Sequence, residues 1–293
     1  MSQKDDRELK NSIFAAKNAA ENAGMQAVSR EEVARQELGI EIPTALVPLP
    51  SRGLVYPKEN PLHQQEQVEI KGMTANEENI LMSRALIKKG TVITELIKAC
   101  MIDPRIDVNA MVSGDRNALM VAIRITGYGT EYAPTVQCPG CEVRNDIDIN
   151  LADLEIKNLE IEPMELGKNE FAFTTPVTKK RVTFRFLTGK EEEEIIATSE
   201  ARKKKGLQND NVITTRLQYS LLSIDGNYDR GLVNKFSMHM PAKDSLYLRK
   251  YIDESEPGID MRFEFKCKNP DCSYEEVMAV PMGPTFFWPN AGG

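Results

Sequence analysis

A chain of 293 residues with 41% hydrophobic and 28% charged residues has the composition of a soluble globular protein, long enough to bury a sizeable core. Its formal net charge of −7 argues against a nucleic-acid binder, because neutralising phosphates normally leaves a basic footprint. The most apolar stretch, Ala118-Leu-Met-Val-Ala-Ile123, falls far short of the ~20 residues that span a bilayer, so no membrane segment is expected.

Residues 1–40 read as an N-terminal helical or disordered arm. Leu9, Ile13, Ala16 and Ala20 recur at helical spacing, Gly24 interrupts them, and Ser29-Arg-Glu-Glu32 is a capping-box pattern. The stripe holds few large apolar side chains, so two readings stand: a frayed tail, or an arm that folds onto a partner. The charged start Met-Ser-Gln-Lys-Asp-Asp-Arg lacks an apolar signal region, and synthesis in a reducing cytoplasm is the expectation.

Residues 41–73 form a proline-rich strap and a short strand. Five prolines between Ile42 and Pro61 fix φ and remove donors, which favours extended chain along a surface, with a turn at Arg52-Gly53.

Residues 74–293 carry the main body. Thr74-Ala-Asn-Glu77 is a capping box opening a helix with Ile80, Leu81, Leu86 and Ile87 that stops at Gly90. A second helix carries Ile93, Leu96, Ile97 and Met101 and ends at Asp103-Pro104; within it Cys100 reads as a buried small hydrophobe. Ser113-Gly-Asp-Arg116 caps a third, with Gly127 and Gly129 as terminators. These three should form one apolar cluster. Alternating strands follow at residues 145–150, 171–174 and 181–187. Thr188-Gly-Lys-Glu191 starts a charged helix through about Lys205, a further helix from about Asn211 carries Leu217, Leu221 and Ile224, and another runs from Asp244 to Glu254. Residues 261–266 and 274–280 read as a closing hairpin.

The sharpest chemical signal is a set of four cysteines in two close pairs, Cys138-Pro-Gly-Cys141 and Cys267-Lys-Asn-Pro-Asp-Cys272. Each pair is a short turn that can aim two sulfurs at one point, and a tetrahedral Zn²⁺ needs two such turns. Four protein ligands make a closed, structural site rather than a catalytic one. The flanking strands suggest a zinc ribbon whose knuckles are split between residues 130–150 and 260–282. The plainer alternatives are disulfides, which need an oxidising compartment, or unconnected thiols. The fold class expected is therefore α+β: a helical cluster plus antiparallel strands, a split zinc-ribbon-like four-cysteine site, and an extended N-terminal arm.

Catalytic signals are weak. His63 and His239 lack a nucleophile partner, and Leu187-Thr-Gly-Lys-Glu191 lacks the glycine and hydroxyl of a phosphate loop. Glu191 to Glu194 are adjacent on a helix and cannot converge on one cation. Arg202-Lys-Lys-Lys205 complements a helix C-terminus better than it makes a nucleic-acid patch. No catalytic or cofactor-binding residue is assigned beyond the four cysteines, and no enzyme is expected. Phe286-Phe-Trp-Pro-Asn290 needs burial, in the protein's own core or in a neighbouring subunit.

Several strings occur in a telling order: Leu49-Pro-Ser-Arg-Gly-Leu-Val-Tyr-Pro57, Met73-Thr-Ala-Asn-Glu-Glu78, Leu86-Ile-Lys-Lys-Gly90, Gly114-Asp-Arg-Asn-Ala-Leu119 and Arg124-Ile-Thr-Gly-Tyr-Gly129. The Cys-Pro-Gly-Cys turn, Phe186-Leu-Thr-Gly-Lys190, Leu248-Arg-Lys-Tyr251 and Phe286-Phe-Trp-Pro289 continue it. Over about residues 46–289 the chain resembles the T4-type baseplate proteins of contractile-tailed bacteriophages, whose members are baseplate hub or hub-assembly components. The resemblance implies a non-enzymatic virion or assembly protein of the tail baseplate, made in the host cytoplasm, with other phage baseplate and tail proteins as partners. A zinc-ribbon nucleic-acid or transcription-associated factor is the alternative reading of the cysteines.

Overall fold

A computed structural model describes residue 39 and residues 41–204, 211–282 and 284–287. Almost all of the expected arm, Lys205 and Trp288 lie outside these residues. From Thr44 onward the described chain is α+β and packs around one main hydrophobic core.

Strand β1 (Thr44–Pro48) pairs antiparallel with β2 (Gln67–Lys71), placing Val47 opposite Val68. Between them the proline-rich stretch turns inward instead of lying extended on a surface: Leu49, Ser51, Val55, Tyr56 and Leu62 are all buried. Proline restricts φ but does not forbid tight turns, and the expected turn is present, with Arg52 and Gly53 at φ 50° and 68°. A Cβ on Gly53 would lie 2.3 Å from the Leu62 carbonyl oxygen, so the doubled-back chain admits only glycine there.

The capping box at Thr74 forms: its N–H donates to Glu77 Oε2 at 2.8 Å and helix α1 (Ala75–Met82) follows. The single helix expected up to Gly90 is two, because the backbone leaves helical geometry at Ser83 (ψ 102°) before α2 (Arg84–Lys89) resumes. Gly90 ends it in the left-handed conformation, φ 75°. In α3 (Val92–Cys100), Leu96, Ile97 and Cys100 are wholly buried.

Helix α4 (Ser113–Tyr128) is the central element, with Leu119 and Ile123 in the core. It starts after Val112, and the polar residues expected to cap it do other work. Ser113 Oγ donates to the Leu187 carbonyl at 3.0 Å, and Asp115 binds the inward-turned strap. Gly127 stays helical, its missing side chain making room for Met73, and Gly129 ends the helix at φ 83°.

A three-stranded antiparallel sheet runs β10-β9-β8, built from β8 (Phe171–Thr174), β9 (Arg181–Phe184) and β10 (Leu221–Ile224). Phe171, Phe184 and Phe186 pack face and edge beneath it, with ring centroids 4.6 to 5.9 Å apart. The charged helix α5 (Gly189–Lys204) begins as expected, with the Thr188 N–H donating to Glu191 Oε2 at 2.8 Å. Leu221 and Ile224 were expected on a helix; instead α6 (Val212–Ser220) stops short and they enter the sheet. Pairing with β9 decides the matter, through Leu221 opposite Phe184 and a buried 2.7 Å bond from Ser223 Oγ to Thr183 Oγ1. Helix α7 (Arg230–His239), capped by Asp229, has no counterpart in the sequence reading. Helix α8 (Ala242–Ser255) follows, and its buried Asp244 accepts from the Val177 and Thr178 N–H groups at 2.7 and 3.0 Å, pinning the β8–β9 turn.

Candidate metal centre

Two hairpins, distant in sequence, build the site. The first joins β4 (Thr135–Gln137) to β5 (Arg144–Asp146) through the Cys138-Pro-Gly-Cys141 turn; the second joins β12 (Arg262–Lys266) to β13 (Glu275–Ala279) through the Cys267 to Cys272 turn. Each turn is closed by its own backbone. The Cys138 N–H donates to the Val143 carbonyl at 2.9 Å, and the Cys267 N–H donates to the Tyr274 carbonyl at 3.0 Å. Glu142 takes a left-handed φ of 61° to let the first turn return. A Cβ on Gly140 would sit 3.0 Å from the Tyr274 ring, so glycine lets the hairpins approach.

The hairpins meet over a small apolar cluster of Val136, Cys138, Phe265 and Cys267, separate from the main core. The four sulfurs of Cys138, Cys141, Cys267 and Cys272 all lie within 4.8 Å of one another. Two cross-hairpin approaches are closer, Cys141 to Cys267 at 3.6 Å and Cys138 to Cys272 at 3.9 Å. Four thiolates about 2.3 Å from a tetrahedral Zn²⁺ stand roughly 3.8 Å apart, so this donor set fits such an ion with little rearrangement. All five cysteines are free thiols.

Hydrogen-bond donors point at three of the sulfurs. Gly140 N–H points at Cys138 Sγ (3.4 Å), Asn269 Nδ2 at Cys141 Sγ (3.6 Å) and Asn145 Nδ2 at Cys267 Sγ (3.9 Å). The Val143 N–H and the Asn269 side chain hold the Cys141 thiol down to about 7. Cys272 accepts from the Tyr274 N–H, yet burial and the neighbouring sulfurs push it up to about 12. Thiolates this close would repel one another, and a dication held among them would supply compensating positive charge. Asn145 is also a link between hairpins, since its Oδ1 accepts the Lys268 N–H at 2.6 Å. Neither asparagine was legible in advance, because an Asn near a cysteine turn is a common turn residue.

The pair of hairpins is tied to the body by short strand pairs. β3 (Glu131–Tyr132) runs beside β6 (Ile149–Asn150), and β7 (Ile156–Lys157) beside β11 (Gly258–Ile259). Arg124 is the main clamp: wholly buried, it donates to the carbonyls of Phe286 (2.7 Å), Gly129 (2.7 Å) and Glu131 (2.8 Å). Tyr132 adds a 2.6 Å bond to the Pro281 carbonyl and packs edge-on against Phe286. Phe286 and Phe287 are buried in the protein's own core.

The other candidates scatter. His63 Nδ1 is hydrogen-bonded to the Tyr56 carbonyl oxygen at 2.6 Å, and His239 is an exposed helix end. Glu191 binds Thr188 and Arg185, Glu192 binds Arg216, and Glu193 binds Thr94, three directions as helical geometry requires.

The molecule is thus an α+β protein in which two remote hairpins converge on a tetrathiol cluster. A family model described as T4 bacteriophage base plate protein matches residues 56–288, most of the chain, and the chain belongs to that family. Membership of that family supports a structural role in a phage baseplate. No curated protein and no solved structure matches it.

Proposed function

We propose that this baseplate protein works in or near the hub, as a structural or hub-assembly component, and that zinc bound by Cys138, Cys141, Cys267 and Cys272 stabilises its fold. The observation that carries the metal reading is the convergence of four sulfurs from two hairpins with Cys141 and Cys267 126 residues apart. Zinc bound there neutralises the crowded thiolates and turns metal affinity into folding free energy. The activity is binding: residues 74–293 are the body, and the arm over residues 1–40 reaches neighbouring tail proteins. Assembly takes place in the host cytoplasm, without membrane or catalysis.

The test is gradient fractionation of infected-cell lysate with mass spectrometry of each fraction and metal analysis of the purified chain. Travel with baseplates and finished tails supports a component that stays in the particle. Presence in early assemblies alone makes it a chaperone, and migration with nucleic acid revives the nucleic-acid reading of the cysteines. One zinc per chain supports the metal reading; none after chelator-free purification removes it.

A further inference from the structure

On the reading proposed above, the protein is made in a reducing cytoplasm and leaves it with the particle. We propose that the same four sulfurs are an oxidation site, at which hydrogen peroxide joins Cys141 to Cys267 and Cys138 to Cys272, replacing a metal staple by two disulfide bridges between the hairpins. The inference rests on the metal reading only for its starting state.

The geometry selects the pairing. Both close sulfur approaches, 3.6 and 3.9 Å, run between the hairpins. In the tighter pair each sulfur also faces an asparagine of the opposite hairpin, Cys141 facing Asn269 and Cys267 facing Asn145. Each pair joins a partly exposed sulfur, Cys141 or Cys272, to a buried one, Cys267 or Cys138. The exposed member meets the oxidant and the buried member resolves it. A thiolate attacks the peroxide, the O–O bond breaks, and protonation of the leaving oxygen gives water and a sulfenic acid. The partner thiol then attacks the sulfenic sulfur, forming the S–S bond and releasing a second water. Two peroxides are consumed for two bridges. Starting from the metal-bound thiolates, four solvent protons are taken up and the dication is set free.

The experiment uses the full chain and hydrogen peroxide. Free thiols, counted in denaturant, are expected to fall from five to one, the remaining thiol being the buried Cys100. A peptide map without reductant is expected to join the segment holding Cys138 and Cys141 to those holding Cys267 and Cys272. Bridges inside a single turn, sulfinic acids without bridges, or an unchanged thiol count each overturn the proposal. Zinc content before treatment separates the two readings. Zinc followed by bridges within each turn removes the oxidation site alone, whereas bridges between hairpins in a chain without zinc remove the metal reading alone.

Discussion

The Tyr56 phenol donates a 2.6 Å hydrogen bond to Asp115 across 59 residues of sequence, and the same carboxylate takes the Ser51 N–H at 2.9 Å and the Ser51 hydroxyl at 2.5 Å. Asp115 lies in the first turn of α4, where the helix dipole favours an anion, although burial still pushes its carboxyl above the usual range. One side chain therefore fixes the inward turn of the strap. Asp115→Ala strands three buried donors and should cost about 3 kcal/mol, against about 2 kcal/mol for Tyr56→Phe, which strands only the Val112 N–H. Urea unfolding of the two variants checks this; equal losses would remove Asp115 from its central place.

Gly114 makes a steeper prediction. A Cβ there would lie 1.7 Å from the Pro257 carbonyl oxygen, which is backbone and cannot swing aside. Gly114→Ala should destabilise the fold by about 3 kcal/mol through overpacking, although alanine favours helix elsewhere. An unchanged thermal midpoint would show that the α4 and β11 segments are not in contact.

Metal removal should act regionally. Chelation, or Cys138→Ser, is expected to raise amide exchange over residues 131–150 and 258–287 first, because these segments converge on the sulfurs or on Arg124. Protection at Leu96 and Leu119, in the main core, should persist longer. Uniform loss of protection would mean that the hairpins are not a separate unit of stability.

Glu256, just past α8, carries the pH prediction. Burial, with Glu192 and Asp253 nearby, raises its carboxyl to about 7 against the pull of Arg216. Its folded value thus stands above the unfolded value of about 4.3, so the proton is held more tightly in the folded state. The associated stability is full below about pH 4.3 and lost as pH rises through about 7. Glu256→Gln keeps the neutral form, and relative to the parent it should gain about 1–2 kcal/mol between pH 5 and pH 8, the partial exposure of the side chain limiting the effect. A stability difference that stays constant across that range removes Glu256 as the source.

What could be read ahead was local. The capping box at Thr74 and the helix start at Thr188 each join residues three apart, and both formed. The cysteine pairs spoke through spacing alone. Where distant partners decide, the sequence was silent or misleading: Leu221 to Ile224 carry apolar residues that suit a helix, and only Phe184 and Thr183 across the sheet make them a strand. Gly127 looks like a terminator until Met73 fills the space beside it. Asn145 and Asn269 acquire their meaning only when the second hairpin arrives.

That arrival has an order in time. A ribosome makes Cys138 and Cys141 first, then more than a hundred further residues before Cys267, since 126 positions separate the inner sulfurs. The entropy of closing such a loop rises only as the logarithm of its length, so distance itself is a small barrier. Until residue 272 has been made, however, the early hairpin has nothing to close upon. A product halted anywhere inside that interval lacks the second pair of sulfurs, so only a chain made at least as far as Cys272 can complete the cluster.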